Sequence, residues 1–480
     1  MFIGLIEMTS KPVGELKKIV TLVDRTDFDN YVYPADATAT RFQPKQKPYH
    51  NYTHETVAWP FAGGPSWGQR VTFTMPEQGD FLNWIAVRLK PASWLSSPVQ
   101  QRIGPEKADW VPLDLNNFWI WANSLGTAAI ERAEMEVDGV IIESFSGDWL
   151  HVWNKLSHDV STGAPFDDAA YASYAQLTVN NFKASEDGFV YCYLPFWFSK
   201  FKNTGYPLLS SLPEHVRFHI TFRPFAEVVR KLAAPKGCKE NPCGQSFQVR
   251  DYSFPFRKFQ TVTMPLAIPP FESADILCGM SHIDGELRKA YIERPHELLM
   301  SPVVETTFNE PLKYLINTPS GGVIRIGLPL REANGPIRQL VFFLRRKDAV
   351  ESYSDYTNFS AMLLKDADPV WNPVQPLLQR AQLMVGTAIW ADEEELWWRS
   401  NNVNLPGGIR AGGNYIYTYN FADKPVEFAP SGSLNASRVD MRLNLTVKPV
   451  DDVEWTVTVF YIGTNWMRFE NGLANVLFMD

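Results

Sequence analysis

At 480 residues the chain exceeds what one hydrophobic core ordinarily organises, so two domains of roughly 200 residues each are expected. Hydrophobic residues at 45% and charged residues at 20% exclude a disordered or collagen-like chain. A formal charge of −8 without clustered Lys and Arg excludes direct nucleic-acid binding, which needs such clusters to neutralise phosphates.

The first 52 residues are irregular and read as an N-terminal arm. Met1-Phe-Ile-Gly-Leu-Ile6 is apolar but too short to span a bilayer and lacks the basic region and cleavage site of a signal peptide; no other segment reaches the ~20 apolar residues of a membrane helix. A soluble, non-secreted chain is expected. Asp27 and Asp29 share a face of an extended segment, but nothing nearby completes a site.

The abundance of aromatics (31 Phe, 18 Tyr and 16 Trp) and 35 Pro favours strands joined by firm loops. Residues 69–75 alternate, with Val71, Phe73 and Met75 on one face, and residues 81–89 follow after a turn at 76–80; together they predict a β-hairpin. Residues 130–137 and 140–142 flank Asp138-Gly139, a hairpin turn signal. Trp149, Leu150, Val152, Trp153 and Leu156 are spaced for a short amphipathic helix that could plug one end of a sandwich. Residues 189–198 form a strand candidate that meets Pro195, and Val216, Phe218, Ile220 and Phe222 alternate inward with polar residues outward. Ala226 to Ala234 has helical character and 235–244 is loop by its turn chemistry, so the domain boundary is placed at 226–252. The second half repeats the strand signals at 276–280, 322–328, 337–344, 381–390, 438–447 and 453–461. Many short strands with turns at this spacing predict an all-β chain of two tandem eight-stranded jelly rolls with short helices in loops: an arm at 1–52, a first roll at 53–225, a linker at 226–252 and a second roll at 253–480.

No G-x-S-x-G, P-loop, G-x-G-x-x-G or H-E-x-x-H pattern occurs. Cys192, Cys238, Cys243 and Cys278 fit a reducing compartment; Cys238-x4-Cys243 lacks a second pair of ligands, so ordinary thiols are expected. His215 and His219 lie four apart on a strand, about 13 Å, too far for one ion, and are read as surface histidines; His50 and His54 fail alike. The acidic run Asp392 to Glu395 reads as a solvated face, and Trp397-Trp398 as a loop anchor more than a sugar platform. The sequons at Asn51, Asn358, Asn435 and Asn444 lack a secretory route and read as chance. No catalytic residue, metal or cofactor is expected.

Five short motifs stand in a fixed order. Glu134-Met-Glu-Val-Asp-Gly139 leads into Gly147-Asp148-Trp149-x3-Trp153-x2-Leu156; Leu194-Pro195-Phe-Trp-Phe198 precedes Pro207-Leu-Leu209 and the His215 strand; then come Asn334-Gly-Pro336-Ile-Arg-x-Leu340, Pro430-Ser431-Gly432-x2-Asn435-x-Ser437-Arg438-x-Asp440, and Asn465-x-Met-Arg468-x3-Gly472-x-Ala474. In this order they resemble the double jelly-roll major capsid proteins of nucleocytoplasmic large DNA viruses, over about Arg70 to Ala474. The stretches 238–271 and 392–398 have no counterpart in the resemblance. Physically, the Pro430 corner combines a fixed φ, a permissive Gly432 and local side-chain hydrogen bonds, with Arg438 and Asp440 two apart on one strand face. The resemblance implies a homotrimer forming a pseudo-hexagonal capsomer, with neighbouring capsomers, penton and minor capsid proteins as partners. It implies contact with an internal membrane only through other proteins, with the arm facing the minor proteins, and a place in a virion capsid assembled in host cytoplasm. A scaffold protein of the same fold and a sugar-binding or carbohydrate-active β-sandwich are the alternatives.

Overall fold

In the computed structural model the described residues are 50–91, 118–122, 124–157, 189–201, 204–211, 215–232, 270–309, 323–351, 354–361, 375–400, 415–425, 428–449 and 454–478. Most of the expected arm, Asp27 and Asp29, and the Cys238 and Cys243 thiols lie outside them.

The strands of the first half are β1 (Tyr52–Pro60), β2 (Arg70–Thr74), β3 (Phe81–Pro91), β4 (Phe118–Trp121), β5 (Ile130–Val137), β6 (Val140–Ser146), β7 (Val190–Tyr193), β8 (Tyr206–Pro207), β9 (Val216–Phe222), β10 (Val229–Leu232) and β11 (Phe271–Ile283). Eight of them form a sandwich, one sheet in the order β1-β11-β3-β7 with β8 beside β3, the other in the order β2-β9-β5-β6. Counted along the chain, these eight read 1-8-3-6 and 2-7-4-5: every connection except the fourth to the fifth crosses between sheets. That is the jelly-roll order.

The second half adds β12 (His296–Met300), β13 (Val303–Phe308), β14 (Ile324–Pro329), β15 (Pro336–Arg346), β16 (Leu378–Val385), β17 (Ala388–Glu394), β18 (Ile416–Asn420), β19 (Leu434–Asn435), β20 (Met441–Val447), β21 (Trp455–Gly463), β22 (Asn465–Glu470) and β23 (Leu473–Val476). Its sheets are β13-β21-β15-β18, with β19 on β15, and β14-β20-β16-β17. Without β12, β19, β22 and β23, these again read 1-8-3-6 and 2-7-4-5. Residues Tyr52–Asp480 form one compact unit, so the two rolls are fused side by side. The short helices are α1 (Leu125–Ala128), α2 (Gly147–Ser157), α3 (Phe225–Val228), α4 (Gly285–Glu293), α5 (Lys347–Glu351) and α6 (Glu395–Ser400).

Alternation in the sequence accounts for much of this. Val71 and Phe73 on β2 and Val216, Phe218, Ile220 and Phe222 on β9 are buried, and the two strands pair with Phe73 opposite Phe218. Asp138 and Gly139 both take positive φ, 51° and 84°, as a two-residue turn matched to strand twist requires, and β5 pairs β6 across them.

Five expectations are corrected. The 69–75 and 81–89 strands are no hairpin: β2 pairs β9 while β3 pairs β11 and β7, because each has one inward face and the turn between them carries the chain across the sandwich. The helix expected at 226–234 shortens to α3, after which Val229–Leu232 pairs with the aromatic β4; β-branched Val229 and a waiting strand partner outweigh local helix propensity. The boundary at 226–252 falls inside the first roll. β11, expected to open the second, lies between β1 and β3 and buries Ile276, Cys278 and Met280 in the first core. Residues 381–390 are two strands, turned at Gly386 with φ 61°, and the acidic run closes β17 and begins α6 where a loop was expected. Lastly, Arg438 ends a 3-10 turn over Ala436–Arg438 and so shares no strand face with Asp440.

Candidate functional site at the seam between the rolls

α2 departs from the expected amphipathic plug in a way that locates the site. Trp149, Leu150, Val152, Trp153 and Leu156 are buried, and so are His151 and Asn154. The helix is buried nearly all round because it lies between the rolls. Its Trp149 ring meets Phe460 of β21 at 4.9 Å, and the His151 ring meets Phe359 at 5.7 Å. The cover explains β15 and β21, which are buried on both faces: inward Phe342 and Val459 face their own sandwich, while Phe343 and Phe460 face the helix side. Gly147 starts α2 where a Cβ would sit 2.2 Å from the Ile130 carbonyl oxygen, so only glycine lets the helix leave β6 at that angle.

Three polar bridges cross the seam. The Arg345 guanidinium donates to both carboxylate oxygens of Asp148, at 2.6 and 2.7 Å, and to the Tyr356 carbonyl at 3.2 Å. Burial alone would raise the Asp148 carboxyl, but the Arg345 charge and its hydrogen bonds hold it below the usual carboxylate range. The Lys200 ammonium, fully buried, donates to Glu143 on β6 at 2.7 Å and to the Ser301 carbonyl, just before β13, at 2.6 Å; the Trp197 N–H donates to the other Glu143 oxygen at 2.7 Å. Burial pushes Glu143 up and Lys200 down, each toward its neutral form, and their mutual attraction opposes both shifts. Finally, the Ser146 N–H and hydroxyl both donate to the Glu305 carboxylate, at 3.1 and 2.9 Å; burial, with Asp148 adding its charge, raises Glu305.

The singled-out residues therefore fall into two clusters. Gly147, Asp148, Trp149 and Trp153 lie on α2, and Pro195 opens the buried turn carrying Trp197 to Glu143. The other cluster joins motifs a hundred residues apart: β19 pairs Pro336 with Asn435, the Ser437 hydroxyl donates to Asn334 Oδ1 at 2.6 Å, and the Gly335 N–H donates to Ser437 Oγ at 2.8 Å and to Asn334 Oδ1 at 3.0 Å. Asn435 accepts from the Ser437 N–H at 3.2 Å, capping the 3-10 turn. Pro430, Ser431 and Gly432 lie beside this corner, where Ser431 Oγ accepts from the Lys424 N–H and Arg338 donates to the Ala429 carbonyl. Asp440 accepts through its carbonyl from Gly386. Ser437→Ala should remove two of the corner's bonds and lower stability by about 1–2 kcal/mol, read from denaturant midpoints at unchanged slope.

Glu143, Lys200, Glu305 and Arg345 were not foreseen. The only sequence signal was position: charged residues embedded in or ending strongly apolar stretches, as Arg345-Arg346 ends the Leu340 to Leu344 run. Elsewhere, His219 is buried instead of surface-facing, held by Thr72 and Glu136 at 2.9 Å each, because neighbouring ion pairs such as Arg70 with Glu134 cover that sheet face. Trp398 is buried and donates its indole N–H to the Ala381 carbonyl, which removes it as a sugar-stacking platform. Among the described residues no group of three or more His, Cys, Asp or Glu is placed to hold a metal ion.

A family model described as the major capsid protein N-terminus matches residues 40–241. The major capsid protein of Pyramimonas orientalis virus is 22% identical over 450 residues, covering 92% of this chain and 94% of its own. Among solved structures, the PBCV-1 virus capsid model is similar with a TM-score of 0.67 at 15% identity, covering 92% of this chain and 100% of its own. The Faustovirus major capsid protein follows with 0.62 at 12%, covering 95% and 97%. The fold is a double jelly roll, and over nearly its whole length the chain is similar to major capsid proteins of nucleocytoplasmic large DNA viruses. It is a structural capsid protein and not an enzyme.

Proposed function

We propose that three copies of this capsid protein form a pseudo-hexagonal capsomer that tiles an icosahedral virion shell. The observation that carries the reading is the repetition of one strand order, 1-8-3-6 with 2-7-4-5, in two rolls fused by a buried seam. Each chain then supplies two similar wedges, and three chains supply six around a closed axis. Neighbouring capsomers, penton and minor capsid proteins are the partners in this reading. The N-terminal arm faces the minor proteins, an internal membrane is reached only through other proteins, and assembly takes place in host cytoplasm. A chain with net charge −8 supports the absence of direct genome contact. Light scattering after size exclusion should give three times 54.6 kDa, about 164 kDa, and electron microscopy should show six-lobed particles. A monomeric mass at every concentration tested would overturn the reading.

A further inference from the structure

The corner that joins the two distant motifs places a reactive pair beside one hydroxyl. Asn334 is followed by Gly335, and the backbone nitrogen after an asparagine closes a five-membered ring when it bonds to the side-chain carbonyl carbon, with no Cβ at glycine to crowd it. Here the Gly335 N–H donates to Asn334 Oδ1 at 3.0 Å and to Ser437 Oγ at 2.8 Å, while the Ser437 hydroxyl donates to the same Asn334 Oδ1 at 2.6 Å. The Gly335 N–H can only donate, so the Asn334 atom it meets is the carbonyl oxygen and not the amide nitrogen. One hydroxyl thus spans the proton of the nucleophile and the oxygen of the electrophile.

The corner holds this hydroxyl in place. Asn435 Oδ1 accepts from the Ser437 N–H at 3.2 Å and caps the 3-10 turn, and the Gly335 carbonyl accepts from the Ala436 N–H at 2.8 Å. Asn334 and Ser437 are both exposed, so water reaches the site. The chain's second Asn-Gly pair, Asn471-Gly472, turns β22 into β23 with φ of 54° and 80°, and among the described residues no side-chain hydroxyl hydrogen-bonds to it. It is an internal reference with the same chemistry and no bridge.

We propose that Asn334 is a self-modification site, converted to aspartate and isoaspartate by attack of the Gly335 nitrogen with Ser437 as the proton relay. The Gly335 nitrogen gives its proton to Ser437 Oγ as the Ser437 hydroxyl gives its own to Asn334 Oδ1, and the N–Cγ bond forms. A proton then passes to the side-chain nitrogen, its bond to Cγ breaks and ammonia leaves a succinimide behind. Water adds to either ring carbonyl and opens the ring; the sum is asparagine plus water giving acid plus ammonia, with no oxidant or reductant. Aspartate keeps an acceptor for both bonds of the corner. Isoaspartate adds a methylene to the main chain ahead of Gly335 and Pro336, and Pro336 opens β15 and pairs with Asn435. The β15–β19 register and the Ser437 bonds then no longer fit together, so the site loosens with age the tie between two distant segments.

The test incubates the folded full-length chain in heavy-oxygen water at neutral pH and reads the peptides carrying residues 334 and 471 by mass spectrometry for succinimide, aspartate and isoaspartate. Asn334 should convert faster than Asn471 in the folded chain, and the lead should vanish in urea, where no corner holds the hydroxyl. Ser437→Ala should slow Asn334 by about tenfold or more with Asn471 unchanged, and Ser437→Thr, which keeps the hydroxyl, should restore most of the rate. A purely structural Ser437 has the opposite sign, because freeing the Asn-Gly pair speeds its conversion. Faster conversion in Ser437→Ala, or a wild-type Asn334 no faster than Asn471 or no faster folded than in urea, would overturn the proposal; the wild-type comparisons decide it even where the variant folds poorly.

Discussion

Asp148→Asn and Arg345→Met, made singly, should each lower the unfolding free energy by about 3–5 kcal/mol, because each leaves its partner's polar group buried without its ionic mate. The pair is nearly dry, with bidentate geometry and bonds of 2.6 and 2.7 Å, so little solvent screening softens the loss. The double variant is the informative one. Two ions taken out of water gain little net stability from each other, so Asp148→Asn with Arg345→Met together should recover most of the loss, with a coupling free energy of several kcal/mol in the cycle. If the bridge serves to fix the angle between rolls, the double variant stays folded but yields fewer six-lobed particles at equal chain concentration. An unaltered particle yield would show that the apolar contacts alone set that angle.

Acid should reveal the same bridge. Asp148 sits below the usual carboxylate range in the folded chain, so its contribution is complete above the unfolded value of about 3.9 and is lost as pH falls through the lower folded value. The gap between wild type and Asp148→Asn is therefore widest at neutral pH and narrows below about pH 4. Glu143 and Glu305, both raised by burial, act with the opposite sign: their ionisation destabilises the fold at neutral pH, and acid relieves it.

Strands such as β9 were legible because Val216, Phe218, Ile220 and Phe222 alternate with period two, which one buried face imposes. The Asp138-Gly139 turn was legible because its two positive φ angles admit few residue pairs. Pairing was not legible. β2 and β3 each announce an inward face but not which sheet owns it, and β11 looks the same whether it closes one roll or opens the next. The seam was hidden for a related reason. Asp148 and Arg345 are 197 positions apart, and neither a lone acid at a helix start nor an arginine at a strand end names its partner. The family motifs pointed to α2 and to the Asn334 corner as places, without disclosing that one lies between rolls and the other ties two distant segments together.

Trp149→Ala should be the most damaging apolar change at the seam, lowering stability by about 3–5 kcal/mol through lost burial and the cavity left behind. Trp149 is fully buried, packs on Phe460 of the other roll and on Trp153 of its own helix, and lies 6.0 Å beneath the Lys200 ammonium. Its removal therefore loosens two things at once: the face that holds β21 and the aromatic surface over which the Glu143–Lys200 bridge is laid. Trp149→Phe keeps most of the ring area and should recover more than half of the loss, whereas Trp153→Ala, at a ring slightly more open to solvent, should be milder. Native-state hydrogen exchange would tell the mechanisms apart. If the seam is the weak plane, amides of β6, β13 and β21 lose protection in Trp149→Ala before those of β2 and β9 do, because the rolls part while each sandwich holds. Uniform loss of protection across both rolls would instead mean that the two sandwiches unfold as one cooperative block, with α2 part of a shared core.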